Sequence, residues 1–456
     1  MRKYFGTDGI RRIANTELSP DLVYKVAKAG AYVLSKHTDH MPTILIGRDT
    51  RRSGSLIESA MVAGFLSYGA NVKLLGVIPT PAVAYLTRKL NADASVVISA
   101  SHNTYEFNGI KYFSNKGMKI PDTLEEEIEE VMDSGKLNEL TAINDKIGVS
   151  EYCLDLIEEY VYFFRKTFDD SMENLLKENK DFVVGIDTAN GATYAVAEKV
   201  FKVLGIPYKI INNHPDGINI NENCGSTHLE GLKKFVVENK LSLGIAYDGD
   251  GDRCLAIDEK GNEIDGDKLL AIISNSLRKK GKLNKDTIVA TVMSNLGLNK
   301  YARDNGLELL QTKVGDRYVL EEMLKDGFNL GGEQSGHIIL LDYNPTGDGI
   351  LTSLMLIQSI LEEKKKASEL GNMVKIYPQI LINAKVKSEK KYDYEKDAEI
   401  KEAIEKLEKE FAGNGRVLIR PSGTEPLVRV MIEGENQEYI TKKAKQIAEL
   451  IEEKLK

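Results

Sequence analysis

The chain has 456 residues, more than one hydrophobic core usually organises, so its length predicts several domains of ordinary size. Its formal net charge of −8 argues against a general nucleic-acid binder, which needs a basic face, but leaves room for a small anionic substrate. The three cysteines, Cys153, Cys224 and Cys254, are too few and too widely spaced for a disulfide framework or a zinc site, which favours a reducing compartment.

The opening residues, MRKYFGTDGIRR, lack the apolar core of a signal peptide. No apolar run later in the sequence approaches the length that spans a membrane. We therefore expect a cytoplasmic enzyme with neither a membrane nor a nucleic acid as its partner.

Three segments share one pattern, in which a short strand-like run is followed by a polar loop with glycine or asparagine and then by a helical pattern. They begin near Pro42 (PTILIGRDTRRSG), Asp181 (DFVVGIDTANGATYA) and Asp286 (DTIVATVMSNLGL). This alternation is typical of α/β units with largely parallel sheets, and its recurrence predicts three related domains.

The stretch VVISASHNTYEFNGIK starts as a buried strand and ends in a polar loop that contains Ser101. It does not match the G-x-S-x-G nucleophile elbow, and His102 is poorly placed as a base because triad partners usually come from distant parts of a chain. A turn formed by Ser101, His102 and Asn103 explains the same residues without catalysis. Lys111, ten positions after Ser101, returns a cation to this region.

Asp248, Asp250 and Asp252 alternate with glycines directly after the strand-like run LSLGIA. Glycine allows tight curvature, so the three carboxylates can converge on one hard cation. An EF-hand loop is disfavoured because Arg253 stands at its sixth position, where glycine is needed, although Glu259 fits its twelfth. The pattern favours an open magnesium site over an acidic turn, with Arg253 offsetting charge or holding an anion.

The segment GGEQSGH contains three side chains that suit a sugar-binding site. Glu333 and Ser335 offer acceptors for sugar hydroxyls, and His337 can transfer protons near neutral pH. An ordinary glycine-rich turn is the alternative.

The last segment predicts a small α+β domain, because two helical stripes flank the strand-like runs GRVLIR and LVRVMIE. Between these runs, Arg420, Ser422 and Thr424 surround the flexible Gly423. A guanidinium with short donors is the chemistry of a phosphate cradle, although a P-loop is excluded and a plain hairpin turn is the alternative. We expect domains at 1–150, 151–254, 255–370 and 371–456, with the polar stretch 141–150 as a linker.

Five motifs, in order over essentially the whole chain, resemble those of the α-D-phosphohexomutases. They are FGTDGIR (5–11), ISASHN (98–103), DGDGDR (248–253), GGEQSGH (331–337) and RPSGTEP (420–426). Within that superfamily they are most similar to the bacterial enzymes that act on glucosamine phosphates. Gln334 favours this branch, because members acting on mannose and glucose tend to carry other residues there.

The resemblance implies three related α/β domains with mixed sheets and a smaller C-terminal α+β domain, all around a central cleft. It implies interconversion of glucosamine 6-phosphate and glucosamine 1-phosphate through a phosphoserine enzyme and a 1,6-bisphosphate, for UDP-N-acetylglucosamine and cell-wall precursor synthesis. The implied cofactors are one Mg²⁺ per chain and a sugar 1,6-bisphosphate activator. Phosphomannomutase or phosphoglucomutase activity is the alternative, and a homodimer is common among such enzymes.

The same resemblance implies roles for individual residues. Ser101 carries the phosphoryl group, and Lys111 acts as general base or acid, assisted by Arg11. His337 stands near the reacting sugar. The implied metal ligands are Ser101, Asp248, Asp250 and Asp252. The implied substrate contacts are Arg253, Glu333, Ser335, Arg420, Ser422, Gly423 and Thr424.

Two residues depart from the family pattern. Thr104 stands where proline is usual, which loosens the φ restriction of the loop without removing a reactive group. Arg12 replaces a glycine, which forbids an easy positive φ and adds a charge. We expect activity to survive both.

Two readings from other classes compete with a mutase. A metal-dependent hydrolase or phosphatase would use the same aspartates and Ser101, release inorganic phosphate and need no bisphosphate activator. A calcium-binding module without catalysis is disfavoured by Arg253 and by the other motifs.

Overall fold

The computed structural model describes residues 3–6, 8–422 and 425–456, apart from the side chains of residues 169 and 170. The chain forms two compact units. The first runs up to Met293 and includes Leu307–Met373, and the second comprises Ser294–Gly306 and Val374–Lys456. Among the described residues, none of the helices combines the length and the apolar character that a membrane span requires.

The first unit begins with a six-stranded mixed sheet of order β1-β5-β4-β2-β3-β6. Its strands are β1 (Ile10–Ile13), β2 (Thr43–Arg48), β3 (Asn71–Val77), β4 (Ala94–Ile98), β5 (Phe107–Ser114) and β6 (Ser150–Tyr152), and its helices are α1 (Pro20–Ser35), α2 (Gly54–Tyr68), α3 (Thr80–Lys89) and α4 (Asp122–Asp133). Apolar residues of α1, α2 and α4 pack on this sheet, among them Val26, Met61 and Ile128. Every residue of β4 is buried, as the apolar run before Ser101 predicts.

The polar stretch 141–150, predicted as a linker, packs against the first sheet and its helix α2, and its role between two domains stays a prediction. The backbone N–H groups of Ala142 and Gly148 donate to carbonyl oxygens at the end of α2, and β6 pairs in parallel with β3. These contacts are made by the backbone, which the side-chain pattern of a polar segment does not reveal.

The second sheet has five strands in the order β11-β10-β9-β7-β8. Its elements are α5 (Ile157–Glu178), β7 (Val184–Asp187), α6 (Val196–Val203), β8 (Tyr208–Ile211), α7 (Glu230–Glu238), β9 (Leu243–Tyr247), β10 (Cys254–Asp258) and β11 (Glu263–Ile264). Strands β7, β8 and β9 are parallel, whereas β10 turns back antiparallel to β9. The loop between β9 and β10 carries the DGDGDR motif.

The third sheet has four strands in the order β13-β12-β14-β15. The elements of this part of the chain are α8 (Gly266–Lys279), β12 (Thr287–Thr291), α9 (Leu296–Asp304), β13 (Glu308–Thr312), α10 (Asp316–Asp326), β14 (Leu330–Gly332), β15 (Ile338–Leu340), α11 (Gly349–Glu363) and α12 (Ala367–Gly371). The antiparallel strands β14 and β15 hold the GGEQSGH turn between them.

Helix α9 follows β12 in sequence but belongs to the second unit. There the side-chain oxygen of Asn295 accepts hydrogen bonds from the N–H groups of Gly297 and Tyr377, each at 2.9 Å, and its amide donates to the Tyr377 carbonyl. One asparagine thus caps α9 and fixes it to the start of the C-terminal segment.

The second unit also contains a three-stranded antiparallel sheet of order β16-β18-β17. Its elements are β16 (Gln379–Lys385), α13 (Ala398–Phe411), β17 (Gly415–Pro421), β18 (Leu427–Gly434) and α14 (Gln437–Leu455). Ile400 and Leu407 from one helix and Ile440 and Ile447 from the other are buried in its core. This confirms the two helical stripes.

The three mixed sheets and the smaller α+β part confirm the predicted fold class. The sheets are mixed rather than purely parallel because each α/β part contains an antiparallel pair of consecutive strands: β4 with β5, β9 with β10, and β14 with β15. The domain boundaries stay predictions. The second domain was predicted to end at residue 254. Strands β10 (Cys254–Asp258) and β11 (Glu263–Ile264) nevertheless belong to the second sheet.

Candidate active site

Ser101 lies in the loop directly after β4, and only 1% of its surface is exposed. Its hydroxyl donates a hydrogen bond of 2.7 Å to Asp248 Oδ2, and its backbone N–H donates to Ser99 Oγ at 2.9 Å. Its backbone φ is +51°, a left-handed conformation that is uncommon for serine. The serine of the first sheet and the aspartates of the second therefore share one site.

Asp248, Asp250 and Asp252, which we call the aspartate triad, are all buried in the turn between β9 and β10. One carboxylate oxygen from each lies within 4.8 Å of the others. Gly249 and Gly251 are essential to this turn: a Cβ on Gly249 would lie 2.5 Å from the Ser101 carbonyl oxygen, and Gly251 has φ +71°.

The aspartate triad fits a hard divalent cation. Within the described residues, Asp250 Oδ1 and Asp252 Oδ1 are buried without a hydrogen-bond partner. Buried carboxylate oxygens without a hydrogen-bond donor are costly, and an all-oxygen, all-anionic donor set is what Mg²⁺ prefers. The arrangement can hold one such ion close to the Ser101 hydroxyl.

The electrostatics of the triad show how crowded its charges are. Burial, together with the neighbouring Asp252 and Asp250, raises the pKa of Asp248 well above its usual value. Burial acts in the same direction on Asp252, but Lys111, His337 and Arg253 outweigh it and hold the pKa of that carboxyl well below its usual value. The raised pKa of Asp248 reflects repulsion from its neighbours, which a further cation bound at this turn would relieve.

Lys111 extends from β5 into the same site and is 2% exposed. Its Nζ lies 2.8 Å from Asp250 Oδ2, 3.3 Å from Asp8 Oδ2 and 3.8 Å from Asp252 Oδ2. Burial alone would lower the pKa of Lys111, but these three carboxylates raise it above its usual value. The side chain is thus an ammonium ion at neutral pH.

Arg11 lies on β1, opposite Gly109 of β5. Its guanidinium donates to Asp8 Oδ2 at 2.7 Å and to Asn103 Oδ1 at 3.0 Å. It therefore connects the FGTDGIR segment with the loop that carries Ser101.

The surroundings of His102 do not suit it to act as the base for Ser101. Burial, followed by the charges of Arg253 and Arg11, lowers its pKa from 6.5 to about 4. Its Nδ1 is 3.5 Å from the Ser101 hydroxyl, and that hydroxyl already donates to Asp248. A histidine with such a low pKa is a weak proton acceptor near neutral pH.

The GGEQSGH turn is hydrogen-bonded to the residue after Arg253, since the Cys254 N–H donates to the Gly336 carbonyl at 3.0 Å. His337 Nδ1 lies 3.6 Å from Asp252 Oδ2, and its Nε2 accepts the N–H of Gly347 at 2.9 Å. Burial raises the pKa of Glu333, whose Oε1 accepts the Gly315 N–H. Ser335 Oγ is buried without a hydrogen-bond partner among the described residues.

Gln334, which the sequence associates with amino-sugar substrates, donates its amide to Asp265 Oδ2 at 3.3 Å. Asp265 caps the N-terminus of α8 by accepting the Lys268 N–H. The amide is therefore engaged with a helix cap, and no direct sugar contact follows from its position.

Arg420 and Ser422 belong to the second unit. Arg420 on β17 lies directly opposite Arg429 on β18, and burial together with Arg429 lowers the pKa of Arg420. Ser422 is buried, and its hydroxyl accepts the Glu425 N–H at 3.2 Å. Gly423 and Thr424 lie outside the described residues. The two paired arginines place positive charge next to this loop, and Arg429 Nη2 lies 3.6 Å from Glu425 Oε2.

Sequence reasoning missed several charged residues of the site. Lys119 Nζ bridges Asp8 Oδ1 and Asp316 Oδ2, the latter at 2.6 Å, and Asp316 Oδ2 also lies 3.4 Å from His337 Nε2. Asp8 falls inside the FGTDGIR motif, which was the one available signal. In the second unit, Arg429 was not singled out either, although the antiparallel pairing of two short strands around a loop places it opposite Arg420.

The two departures from the family pattern have simple structural settings. Arg12 lies within β1, so a positive φ is not required there, and its guanidinium donates to the Lys3 carbonyl and covers the Tyr4 ring. Thr104 has no proline ring to restrict it, but its carbonyl oxygen accepts a hydrogen bond from Arg51.

Comparisons with known proteins cover the whole chain. The models of the phosphoglucomutase/phosphomannomutase α/β/α domains I, II and III match residues 2–139, 158–261 and 265–377, and the model of the C-terminal domain matches residues 381–450. The phosphoglucosamine mutase of Ruminiclostridium cellulolyticum is 52% identical over 455 residues, which cover 100% of both chains.

Solved structures are similar at much lower identity. A phosphoglucomutase/phosphomannomutase family protein from Burkholderia thailandensis has a TM-score of 0.77 at 20% identity, covering 98% of this chain and 97% of that one. The N-acetylphosphoglucosamine mutase of Aspergillus fumigatus, in complex with GlcNAc-6P and magnesium, has a TM-score of 0.67 at 16% identity, covering 99% and 96%. These two likenesses concern the fold alone.

Proposed function

The chain belongs to the phosphoglucomutase/phosphomannomutase family, the α-D-phosphohexomutases, and from this membership we propose that it interconverts glucosamine 6-phosphate and glucosamine 1-phosphate. The choice of glucosamine rests on full-length relatives that are about half identical and carry the name phosphoglucosamine mutase. The observation that carries the chemistry is the hydrogen bond from the Ser101 hydroxyl to the aspartate triad.

The reaction needs a phosphoryl group that the enzyme can lend and recover. In the proposed cycle a phosphoserine at Ser101 gives its phosphoryl group to the free hydroxyl of the bound sugar phosphate. The bond between phosphorus and Ser101 Oγ breaks, a bond to the sugar oxygen forms, and the proton lost by the sugar hydroxyl is balanced by one that ionisable groups of the site deliver to Ser101 Oγ, which becomes a hydroxyl again. The resulting 1,6-bisphosphate turns over, returns its other phosphoryl group to Ser101 and leaves as the isomeric monophosphate.

Positioning and charge neutralisation supply most of the catalysis in phosphoryl transfer. Lys111 and Arg253 place two cations against the aspartate triad, where the phosphoryl oxygens would lie. Because Lys111 is an ammonium ion, it suits a proton donor and counter-charge, with Arg11 and His337 as the nearest assistants.

Asp248, Asp250 and Asp252, with an oxygen on Ser101, would hold Mg²⁺. When bound, the ion would act as a Lewis acid and neutralise charge on the phosphoryl oxygens. Its fit to this chain rests on the two unpartnered carboxylate oxygens and on the opposed pKa shifts of Asp248 and Asp252.

Substrate recognition is assigned to two regions. Glu333 and Ser335 would bind sugar hydroxyls, because one carries a buried carboxylate and the other a buried, unpartnered hydroxyl within the described residues. Arg420, Ser422, Gly423 and Thr424, with Arg429 opposite Arg420, would hold the phosphate that does not react.

An assay with three substrates and two readouts tests the proposal. Purified protein with Mg²⁺ and a trace of glucose 1,6-bisphosphate is given glucosamine 6-phosphate, glucose 1-phosphate or mannose 1-phosphate, and both isomer and free phosphate are followed. We expect the highest kcat/KM with glucosamine 6-phosphate and no stoichiometric free phosphate. A higher kcat/KM with mannose 1-phosphate or glucose 1-phosphate would assign that sugar phosphate as the substrate. Release of free phosphate without formation of the isomer would show a phosphatase instead of a mutase.

A further inference from the structure

The loop of residues 99–104, which we call the serine loop, holds Ser101 in a backbone conformation that a free chain rarely adopts. Ser101 has φ +51°, and non-glycine residues in this region persist only where the surroundings impose it. The surroundings consist of two side chains that the proposed chemistry does not use, Arg51 and Asn221.

Arg51 is fully buried and directs its guanidinium into the serine loop. Its Nη2 donates to the carbonyl oxygens of Ser101 at 3.0 Å and Asn103 at 2.8 Å. Its Nη1 donates to the carbonyl oxygens of Thr104 and Phe107. Three carbonyl oxygens of the serine loop and that of Phe107, the first residue of β5, thus converge on a single planar donor group, which only arginine supplies.

The guanidinium is itself fixed by Asp49. Arg51 Nε donates to Asp49 Oδ2 at 2.8 Å, and the Ser99 hydroxyl donates to the same oxygen at 2.6 Å. The Ser99 hydroxyl in turn accepts the N–H of Ser101. Both sides of the Ser101 backbone are therefore connected to one buried ion pair.

Asn221 approaches the serine loop from the second sheet's part of the chain. Its Nδ2 donates to the carbonyl oxygens of Ser101 and Asn103, both at 2.8 Å. These are the same two oxygens that Arg51 Nη2 binds. Asn221 is buried, and a Cβ on Gly249 of the DGDGDR turn would lie 2.7 Å from its Nδ2.

We propose that Arg51 and Asn221 are positioning residues for phosphoryl transfer. By holding the carbonyl oxygens of Ser101 and Asn103 from two sides, they impose the left-handed backbone at Ser101 and so set the direction of its Oγ toward Asp248. The inference rests on the proposed function, because it gives these residues a role only if Ser101 carries the phosphoryl group. It also explains how the loop stays ordered with Thr104 in place of proline.

The physical reason is geometric. Phosphoryl transfer depends on the alignment of the attacking and leaving oxygens, and a displacement of about 1 Å can lower the rate by about 10²-fold. Neither side chain contacts a carboxylate of the triad in the described hydrogen bonds, so their loss would act through the position of Ser101. The predicted effect is a lower kcat with little change in KM.

The test compares Asn221→Ala with Asn223→Ala. Asn223 is exposed and has φ +53°, close to the φ +57° of Asn221, so both variants lose asparagine at a left-handed position. Only Asn221→Ala loses hydrogen bonds to the serine loop. A second pair, Arg51→Lys with the exposed neighbour Arg52→Lys, removes the planar donor group while keeping the charge.

The readouts are kcat and KM for glucosamine 6-phosphate, the ³¹P resonance of the phosphoserine, and the melting temperature. We expect Asn221→Ala to lower kcat by about 10- to 100-fold, to leave KM within about twofold and to shift the ³¹P resonance. Asn223→Ala should match the wild type in all three. Arg51→Lys should likewise lower kcat and shift the ³¹P resonance, whereas Arg52→Lys should match the wild type. If Asn221→Ala does not fold, the comparison of these two variants tests the positioning role.

Two results would overturn the inference in distinguishable ways. If folded Asn221→Ala and Arg51→Lys keep the kcat and the ³¹P resonance of their controls, the positioning role is wrong while the mutase stands. If the wild type shows neither isomerase activity nor a phosphoserine resonance, the proposed function is wrong, and the inference falls with it.

Discussion

The Ser101 hydroxyl donates a 2.7 Å hydrogen bond to Asp248, which lies 147 positions later in the chain. The contact joins a loop after β4 of the first sheet to the turn between β9 and β10 of the second. Burial and the two neighbouring aspartates raise the pKa of Asp248. A charge placed next to Ser101 and Asp248 therefore changes both the ionisation of this carboxyl and the strength of the hydrogen bond. This relationship underlies the first two predictions.

Replacing Ser101 with alanine should abolish the phosphoryl carrier. We expect Ser101→Ala to lower kcat by more than about 10³-fold, even with added glucose 1,6-bisphosphate, because removal of a covalent nucleophile is not compensated by binding. Intact-mass analysis should show that a fraction of wild-type chains is heavier by one phosphate and that the variant lacks this species. Ser59→Ala, an exposed position on α2, is the control. Near-wild-type turnover by Ser101→Ala would exclude Ser101 as carrier.

Replacing Asp250 with asparagine should weaken the response to magnesium. Asp250 Oδ1 is unpartnered among the described residues, and the substitution removes one of three anionic ligands. We expect the Mg²⁺ concentration for half-maximal activity to rise at least about tenfold. The rise in melting temperature that saturating Mg²⁺ gives the wild type should shrink in parallel. Asp181→Asn, at an exposed position, should leave both unchanged, and an unaltered metal response of Asp250→Asn would remove that residue from the site.

His102 should make the metal-free protein less stable as the pH falls. Its pKa drops from 6.5 to about 4 on folding, so between these values the unfolded chain binds a proton that the folded protein does not. The free energy of unfolding must therefore decrease as pH falls from about 6.5 to about 4. In His102→Gln this decrease should be smaller than in the wild type.

Urea denaturation of the metal-free protein at several pH values measures this difference. His40→Gln is a control of opposite sign, because Asp39 and Asp93 raise the pKa of the exposed His40. The stabilisation from His40 is present at low pH and is lost as pH rises, so its removal should not make the acid decrease smaller. Equal slopes for His102→Gln and the wild type would contradict a lowered pKa.

Glycine at position 249 should be required for steric reasons. A Cβ there would lie 2.5 Å from the Ser101 carbonyl oxygen, so Gly249→Ala forces the serine loop and the triad apart. We expect it to lower the free energy of unfolding by about 1–3 kcal/mol and to reduce kcat as well. Gly231→Ala, in α7, meets no described atom within 4 Å and should raise stability by about 0.5–1 kcal/mol. Denaturant titration of both variants checks the contrast, and equal stabilities would contradict the close approach.

Much of the site could be predicted because it follows recognisable local patterns. Ser101 comes directly after a fully buried strand, and the aspartate triad alternates with glycines in a hairpin turn between β9 and β10. In both places a change from apolar to small polar residues marks the end of a strand, where side chains of neighbouring strands meet. The resemblance of the five motifs to those of the family then supplied the chemistry.

The remainder depends on contacts that no local pattern encodes. Lys119 looks like an ordinary surface lysine in sequence, yet it bridges Asp8 and Asp316, which lie 111 and 197 positions away. Arg51 is one of three consecutive charged or polar residues after Thr50, and only the fold shows that it is the buried one. Long-range pairing of polar groups is set by the packing of the fold, and the hydrophobic periodicity of the sequence carries no information about it.

The capping of α9 by Asn295 has a practical meaning for dissecting the chain. The Asn295 side chain is hydrogen-bonded to both the N–H and the carbonyl oxygen of Tyr377, although 82 positions separate the two residues. A fragment cut at Val374 would carry the C-terminal sheet but leave this helix and its cap behind. Expression of the isolated piece would need residues 294–306 restored, for example by a permuted gene that fuses them ahead of the fragment. Proteolytic mapping would likewise cut this unit at two separate places in the sequence.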